Sequence, residues 1–269
     1  MKLPPPSPVR EARRDRRAAA FTLVEIAISL AVIAFALVAI IGVLPTGMQV
    51  QRDNREETII NQEANYFANA IRSGARGLDD LTNAVAVIEN HWTEYKVTLT
   101  TTNAGASGTD RYTTTNSAVT LYPVPATFAI SDGYRIVGLL STPKYLPQGG
   151  GFLSNHIAAY VRALSGPASE KFPQDNQDVR ADAFTYRLIC ENQPLPAWDV
   201  GSAYGKNLLT NLHELRLIFR YPLKSIPENE KGRQVFRLQV GGLLLPVIDT
   251  SYKEPPFYFF QPTTFVKAP

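Results

Sequence analysis

Cysteine and histidine are nearly absent from this chain. Cys190 is the only cysteine, so no internal disulfide framework supports the fold. The three histidines lie far apart, and His213-Glu214 lacks the second histidine of a zincin helix. So few imidazoles and a single thiol form no recognisable zinc pattern or catalytic triad. We therefore expect a protein that is not an enzyme and that needs no cofactor.

Positive charge is scarce outside the first 20 residues. The chain of 269 residues has a formal net charge of +3. Six basic residues against two acids give the first 20 residues +4, which leaves −1 for the remainder. The sequence pI near 8.9 therefore does not indicate a nucleic-acid surface on the folded part. Apolar residues make up 45% of the chain, which is enough for a substantial core.

A long apolar run follows a basic leader. The leader, residues 1–20, is rich first in proline and then in arginine. Residues 21–44 are apolar except for Glu25, and about 24 helical residues are enough to cross a hydrocarbon core of about 30 Å. The arginines place the N-terminal end in the cytoplasm. We expect a single-pass inner-membrane protein whose remainder is periplasmic or lies on an extracellular filament.

Alternatives exist for this apolar run. A cleaved secretory signal has a shorter apolar region followed by small residues, whereas here the alanines at 18–20 precede the run. A plain signal anchor explains length and orientation but leaves Glu25 unexplained. An acid in the apolar part of a bilayer costs about 2.5–3.5 kcal/mol, so it usually has a partner. Glu25 could instead lie near the headgroups, or be protonated, with no special role.

The first residues of the run form a specific pattern. The basic leader ends at Ala20 and is followed by Phe21, the first residue of a long apolar helix. Glu25 lies four residues after this Phe. This pattern resembles the processing and methylation site of type IV prepilins and type II secretion pseudopilins. The resemblance implies that a prepilin peptidase cuts between Ala20 and Phe21 and N-methylates Phe21. The family normally has Gly where this chain has Ala20.

The same resemblance implies an assembly role for Glu25 and Thr22. In that family the Glu is neutralised by the N-terminal amine of a neighbouring subunit, here the Phe21 ammonium. The implied protein is a minor pilin or pseudopilin of a type IV pilus or type II secretion-like filament. Its implied partners are the prepilin peptidase, other pilin subunits and an inner-membrane assembly platform. The alternative is a membrane-anchored extracytoplasmic binding protein or enzyme that uses residues 21–44 only as a signal anchor.

A second resemblance covers more of the chain and is less specific. The run from residue 21 to about 73, with the segments at 215–222 and 257–265, is similar to a verrucomicrobial family of pilin-like proteins encoded in multi-protein cassettes. That resemblance implies the same general architecture.

The apolar run continues into an amphipathic helix. Gly42 and Pro45 predict a helix break near the outer end of the span. Over residues 45–78 apolar side chains recur at helical spacing and predict one buried face. The members of that face are Ile60, Ala64, Phe67, Ile71, Ala75 and Leu78. Ser73-Gly74 and Gly77 are stop signals.

Beyond residue 78 the sequence predicts a mainly antiparallel sheet, so the fold class is α+β and residues 79–269 form a β-rich domain. The predicted strands are 95–99, 119–122, 134–140, 184–190, 214–221 and 235–240, the last two joined as a hairpin by a long polar loop. Residues 155–164 are interpreted as a short helix. Residues 98–117 form the most loop-like region.

Two further segments could carry function. Asp175, Asp178 and Asp182 could give oxygen ligands to calcium, but they fit no EF-hand spacing and a solvated polar loop is the alternative. The aromatic residues at 257–260 could form a docking surface. We interpret them instead as a terminal strand with alternate rings turned inward.

Overall fold

The structure is a computed structural model, and it describes residues 21–74, 81–98, 101–114, 126–130, 132–165, 184–195, 199, 201–223, 232–248 and 255–267. Several sequence-based expectations lie outside the described residues. They are the leader with Ala20, the end of the amphipathic face at Ala75 and Leu78, the strand at 119–122, and the calcium candidates Asp175, Asp178 and Asp182. The chain divides into two compact units, one ending at Asp53 and the other beginning at Asn54.

The first unit is the exposed part of helix α1, which spans Leu23–Ser73 and has 51 residues. Every residue from 21 to 53 is exposed. Among the described residues α1 is the one helix long and apolar enough to span a membrane, with a mean hydropathy of 3.0 over its most apolar window. Gly42 and Pro45, where a helix break is predicted, lie within α1. A proline removes one backbone hydrogen bond, and a long apolar helix tolerates that loss.

In the second unit the rest of α1 is half-buried, as its sequence pattern predicts. Ile60, Ala64, Phe67 and Ile71 are buried, together with Ala70 and one acid, Glu63. The helix ends at Ser73, and Gly74 has a φ of 66°, the left-handed conformation that commonly terminates helices. The predicted stop at Ser73-Gly74 is confirmed.

The main sheet has eight strands, and neighbouring strands within it run antiparallel except for one parallel pair. The strands are β1 (Val85–Val97), β2 (Thr102–Thr114), β3 (Ala126–Ile130), β4 (Tyr145–Gln148), β5 (Gly151–Arg162), β6 (Thr185–Pro194), β7 (Leu212–Tyr221) and β8 (Gly232–Gly241). Their order is β3-β2-β1-β5-β6-β7-β8, with β4 beside β5 and with β2 and β3 parallel. This arrangement confirms the α+β class.

Three short helices and a second, two-stranded sheet complete the fold. The helices are α2 (Leu81–Ala84), α3 (Gly133–Leu140) and α4 (Ala203–Asn211). The small sheet pairs β9 (Leu243–Val247) with β10 (Phe257–Gln261). The core lies between one face of the main sheet and α1, α3 and β10, and Phe67, Tyr186 and Phe219 are among its largest fully buried side chains.

Most of the predicted strands are confirmed. The segments at 184–190, 214–221 and 235–240 lie in β6, β7 and β8, and residues 95–97 end β1. The predicted hairpin is also confirmed, since β7 pairs with β8 from Leu212 opposite Gly241 to Tyr221 opposite Gly232. One face of β7 lies in the core, so its side chains alternate between buried and half-buried positions. This alternation makes the strand recognisable in the sequence.

Three of the sequence-based assignments are wrong. Residues 134–140 are helix α3 and not a strand, because the side chain of Asp132 caps the helix by accepting from the Arg135 amide at 2.8 Å. Residues 155–164 belong mostly to strand β5, which pairs with β1 on one side and β6 on the other. The loop expected at 98–117 contains strand β2, because its threonines and small residues pair with β1 along most of its length.

The aromatic segment at 257–260 is the terminal strand β10, as predicted, but all four rings are buried instead of alternate ones. Both faces of β10 are covered. The ring of Phe259 stacks on Tyr134 of α3 with centroids 3.8 Å apart, while Phe260 meets His213 edge-on at 5.2 Å.

Candidate functional site

The start of α1 is closed by a reciprocal set of hydrogen bonds. The backbone amide and the hydroxyl of Thr22 donate to Glu25 Oε2, at 3.1 and 3.0 Å. In return the Glu25 amide donates to Thr22 Oγ1 at 3.3 Å. A threonine followed three residues later by a glutamate is a capping box, which satisfies amides that a helix start leaves without partners. The spacing of Thr22 and Glu25 is visible in the sequence, so the capping box could have been predicted from it and was not.

Within the part of the chain that the structure describes, the capping box gives Glu25 neighbours but no opposite charge. Both groups that donate to its carboxylate, an amide and a hydroxyl, are neutral. Thr22 and Glu25, which the sequence analysis assigned to assembly, are therefore in direct contact with each other. The carboxylate retains its capacity to pair with a cation from outside the chain.

The helix surface beyond the capping box is apolar and exposed. Phe21 is 77% exposed and Phe35 79%, and seventeen large apolar side chains between residues 21 and 50 are exposed. Soluble monomers rarely show an apolar surface of this extent. The surface needs lipid, partner helices or both.

The histidines and the cysteine are spread over the sheet domain. His91 Nδ1 lies 2.8 Å from the hydroxyl of Thr109, and its ring is 6.3 Å from that of His156. His213 is buried beside Asn192, and burial lowers its pKa to about 4. Cys190 is buried in the core, and burial raises the pKa of its thiol. Among the described residues no three His, Cys, Asp or Glu side chains come together in a metal-binding group.

Glu63 is a buried acid that the sequence analysis missed. Only 2% of it is exposed, and it lies on the buried face of α1 between Ile60 and Phe67. Its carboxylate accepts from the Leu164 amide at 2.8 Å, from both the amide and the hydroxyl of Ser165, and from the hydroxyl of Tyr186. Burial raises the pKa of Glu63 and that of Tyr186. An acid within an apolar helical stripe is the signal that could have found it.

The sheet domain also contains a cavity of about 340 Å³. Trp92, Tyr112 and Tyr258 supply aromatic rings to its wall, while Asp110 and Asn90 supply polar groups. The amide nitrogen of Asn90 donates to Asn155, and among the described residues its oxygen has no partner. A cavity of this size and mixed lining suits a small ligand.

Comparison of the chain with protein-family models, with curated proteins and with solved structures finds no match. The architecture alone is pilin-like: a long apolar N-terminal helix whose later turns pack on a mainly antiparallel sheet.

Proposed function

We propose that this chain is a minor pilin or pseudopilin subunit, cut between Ala20 and Phe21 and assembled through its N-terminal helix into a type IV pilus or type II secretion-like filament. One observation carries the proposal. The exposed apolar part of α1 bears a carboxylate at its start, Glu25, which neutral groups orient and no charge in the described chain neutralises.

A second subunit supplies what this carboxylate lacks. In a bundle of apolar helices the effective dielectric is low, so the attraction between a carboxylate and an ammonium is much stronger than in water. Cutting before Phe21 creates an amine four residues from Glu25. Pairing the amine of one subunit with the Glu25 carboxylate of the next would neutralise both charges and fix the axial register of the two helices.

The other properties proposed for the chain follow from this role. The helix anchors the subunit in the inner membrane before assembly, with its N-terminus cytoplasmic and the sheet domain on the opposite side. The partners are a prepilin peptidase, other pilin subunits and an inner-membrane assembly platform. The role requires no catalysis and no cofactor.

The mature N-terminus tests the proposal directly. Protein purified from membranes of cells with an active prepilin peptidase is expected to begin at methylated Phe21, as measured by mass spectrometry. Cells that lack the peptidase should yield the uncut chain, and Ala20→Gly should be cut at the same bond. An intact Met1 in membrane-inserted wild-type protein would contradict the proposal.

A second function is favoured by the cavity beside Trp92 and Asp110. In that case the chain is a membrane-anchored binding protein, and α1 is only its anchor. The two functions differ at Glu25, because an anchor does not need an acid there. An uncut, unassembled protein would favour the binding protein.

A further inference from the structure

The cavity of the sheet domain lies on the same face of the main sheet as the hydrophobic core. Side chains two residues apart on a strand point to the same face. Ile88 of β1 is in the core, and Asn90 and Trp92 follow it on that face and line the cavity. On β2, Tyr112 belongs to the core and Asp110 to the same face, and both line the cavity. Residues of α3, β4 and β10 complete the wall, so the cavity begins where the apolar core ends.

Asn90 has a buried side-chain oxygen, and a chain of hydrogen bonds fixes the orientation of its amide. Asn155 Nδ2 donates to the Pro143 carbonyl at 3.0 Å, so the oxygen of Asn155 is left to accept from Asn90 Nδ2 at 3.1 Å. Reversing the Asn90 amide would bring two oxygens together. Asn90 is only 7% exposed, and among the described residues its Oδ1 has no partner. A buried acceptor of this kind requires a donor from outside the described chain.

Asp110 places a second acceptor beside this oxygen. Asn90 and Asp110 lie directly opposite each other on β1 and β2, where side chains of paired residues have Cβ atoms about 4.5–5.5 Å apart. Burial raises the pKa of the Asp110 carboxyl, while a hydrogen bond from the Trp92 side chain lowers it. Among the described residues no cation contributes to that pKa. The carboxylate therefore has a neutral donor and no counter-ion in this part of the chain.

The cavity wall offers acceptors and lacks cations. The described residues that line it include one acid, Asp110, and no lysine, arginine or histidine. The side-chain nitrogens of Asn90, Asn155 and Trp92 all donate to groups of the chain itself. The groups that remain are the Asn90 oxygen and the charged Asp110 carboxylate. This combination favours a ligand that donates hydrogen bonds and carries a positive charge.

Aromatic rings form the apolar part of the wall. They belong to Trp92, Tyr112 and Tyr258. The Trp92 ring lies against β2 at Gly108, where an added Cβ would be only 2.7 Å from Cζ2 of that ring. A glycine at this position therefore makes room for the indole beside Asp110. The faces of aromatic rings attract organic cations, and tryptophan does so most strongly.

We propose that the cavity binds an organic ammonium ion, namely a small amine with an apolar body. The ammonium group has three donors and no acceptor, and it donates to the Asp110 carboxylate and to Asn90 Oδ1. The apolar body contacts the aromatic rings, and a cavity of about 340 Å³ accommodates a ligand of this size. The inference rests on the binding function described for this cavity and does not depend on filament assembly.

Two other classes of ligand fit the cavity less well. The hydroxyls of a sugar both donate and accept, whereas three side-chain nitrogens of the wall already donate within the chain. A hydrated inorganic cation would leave the aromatic part of the wall without a contact. Among the described residues no three His, Cys, Asp or Glu side chains form a metal-binding group.

Isothermal titration calorimetry of the full-length protein in a nonionic detergent tests the inference. The probe is 2-phenylethylammonium, and 2-phenylethanol is its neutral analogue of similar shape. The alcohol should bind to wild type at least about tenfold more weakly, because it has no charge to pair with Asp110. Asp110→Asn keeps an acceptor for Trp92 and removes the charge. It should weaken binding of the amine about tenfold or more and change the affinity for the alcohol less than about twofold.

The matched control is Glu94→Gln, which removes one negative charge from the same strand outside the cavity lining. It should leave both affinities unchanged, and it reveals any uptake of the probes by the detergent. Equal affinities of wild type for amine and alcohol would overturn the inference without any variant. No binding of the amine, or an equal loss in the control, would also overturn it.

Two further probes distinguish the class of ligand from the existence of a binding site. Tighter binding of methyl glucoside than of the amine would overturn the inference in favour of a sugar. Displacement of the amine by an equal concentration of calcium chloride, but not of sodium chloride at matched ionic strength, would overturn it in favour of an inorganic cation. Either result would retain a binding function for the cavity, and the mature N-terminus tests assembly separately.

Discussion

The carboxylate of Glu25 combines two properties that substitutions can separate. It accepts hydrogen bonds in the capping box with Thr22, and it carries a charge. Glutamine at this position keeps the first property and removes the second, since Gln also occurs in capping boxes. Thr22→Val removes the hydroxyl of the capping box and leaves the charge.

We expect Glu25→Gln to prevent assembly while membrane insertion is retained. The amine of the neighbouring subunit would lose its counter-ion in a low-dielectric bundle, at a cost of about 3–5 kcal/mol, or more than about a hundredfold in association. Thr22→Val should weaken assembly much less. Crosslinking to wild-type subunits measures the assembly of each variant, and membrane fractionation of the same cells measures its insertion. Glu57→Gln is the control, an exposed acid of α1 outside the span. Normal incorporation of Glu25→Gln would assign the residue to helix capping alone.

The burial of Glu63 predicts how the stability of the sheet domain depends on pH. Burial raises its folded pKa above the ordinary value of 4.5, so the folded state holds the proton more tightly than the unfolded state does. Its contribution to stability is therefore fully present below the unfolded pKa and is lost as the pH rises through the folded pKa. The unfolding free energy of wild type minus that of Glu63→Gln should fall as the pH rises above 4.5. Urea unfolding at several pH values measures this difference, and a difference that rises with pH would contradict the assignment.

At the level of the elements, two segments have a sequence pattern that does not distinguish helix from strand. Their secondary structure is determined by the elements around them. Residues 155–164 and 134–140 are both short apolar segments, and periodicity does not separate a buried strand from a buried helix at that length. Residues 155–162 form the middle of a sheet, while 133–140 begin after an aspartate cap. Strands β7 and β8, each with one face turned away from the core, were predicted correctly because apolar and polar residues alternate along them.

The packing of α3 on β10 predicts the effect of one added methyl group. A Cβ on Gly138 would lie 2.6 Å from Phe259 Cζ and 2.8 Å from Phe257 Cβ. Gly138→Ala should therefore destabilise the domain by about 1–3 kcal/mol through overpacking, although alanine favours a helix by about 1 kcal/mol. Gly149→Ala, where a Cβ meets no atom within 4 Å, is the control for thermal melting. A Gly138→Ala protein as stable as wild type would show that β10 can move aside.

For the molecule as a whole, the division into two compact units predicts that the second unit forms a soluble domain by itself. A chain that begins at Gln51 loses the exposed apolar surface of residues 21–50 and retains all of the unit that starts at Asn54. We expect it to be monomeric by light scattering and to unfold cooperatively in urea. Aggregation without a cooperative transition would mean that the domain needs the preceding turns of α1.

The whole-molecule properties differ in how far the sequence determines them. The apolar run and the acid at Glu25 are local patterns, so the long apolar helix and the start of the candidate site could be predicted. The environment of Glu63 could not. It depends on contacts of Glu63 with residues about a hundred positions away along the chain.

The burial of Cys190 has a practical consequence for mapping subunit contacts. The thiolate is the reactive form of cysteine, and this thiol is only 3% exposed with its pKa raised by burial. A cysteine introduced at an exposed position of α1 outside the apolar span, such as Arg55, would react with thiol reagents far faster than Cys190. Disulfide trapping between neighbouring helices can therefore be carried out in the natural background, with the native thiol left in place.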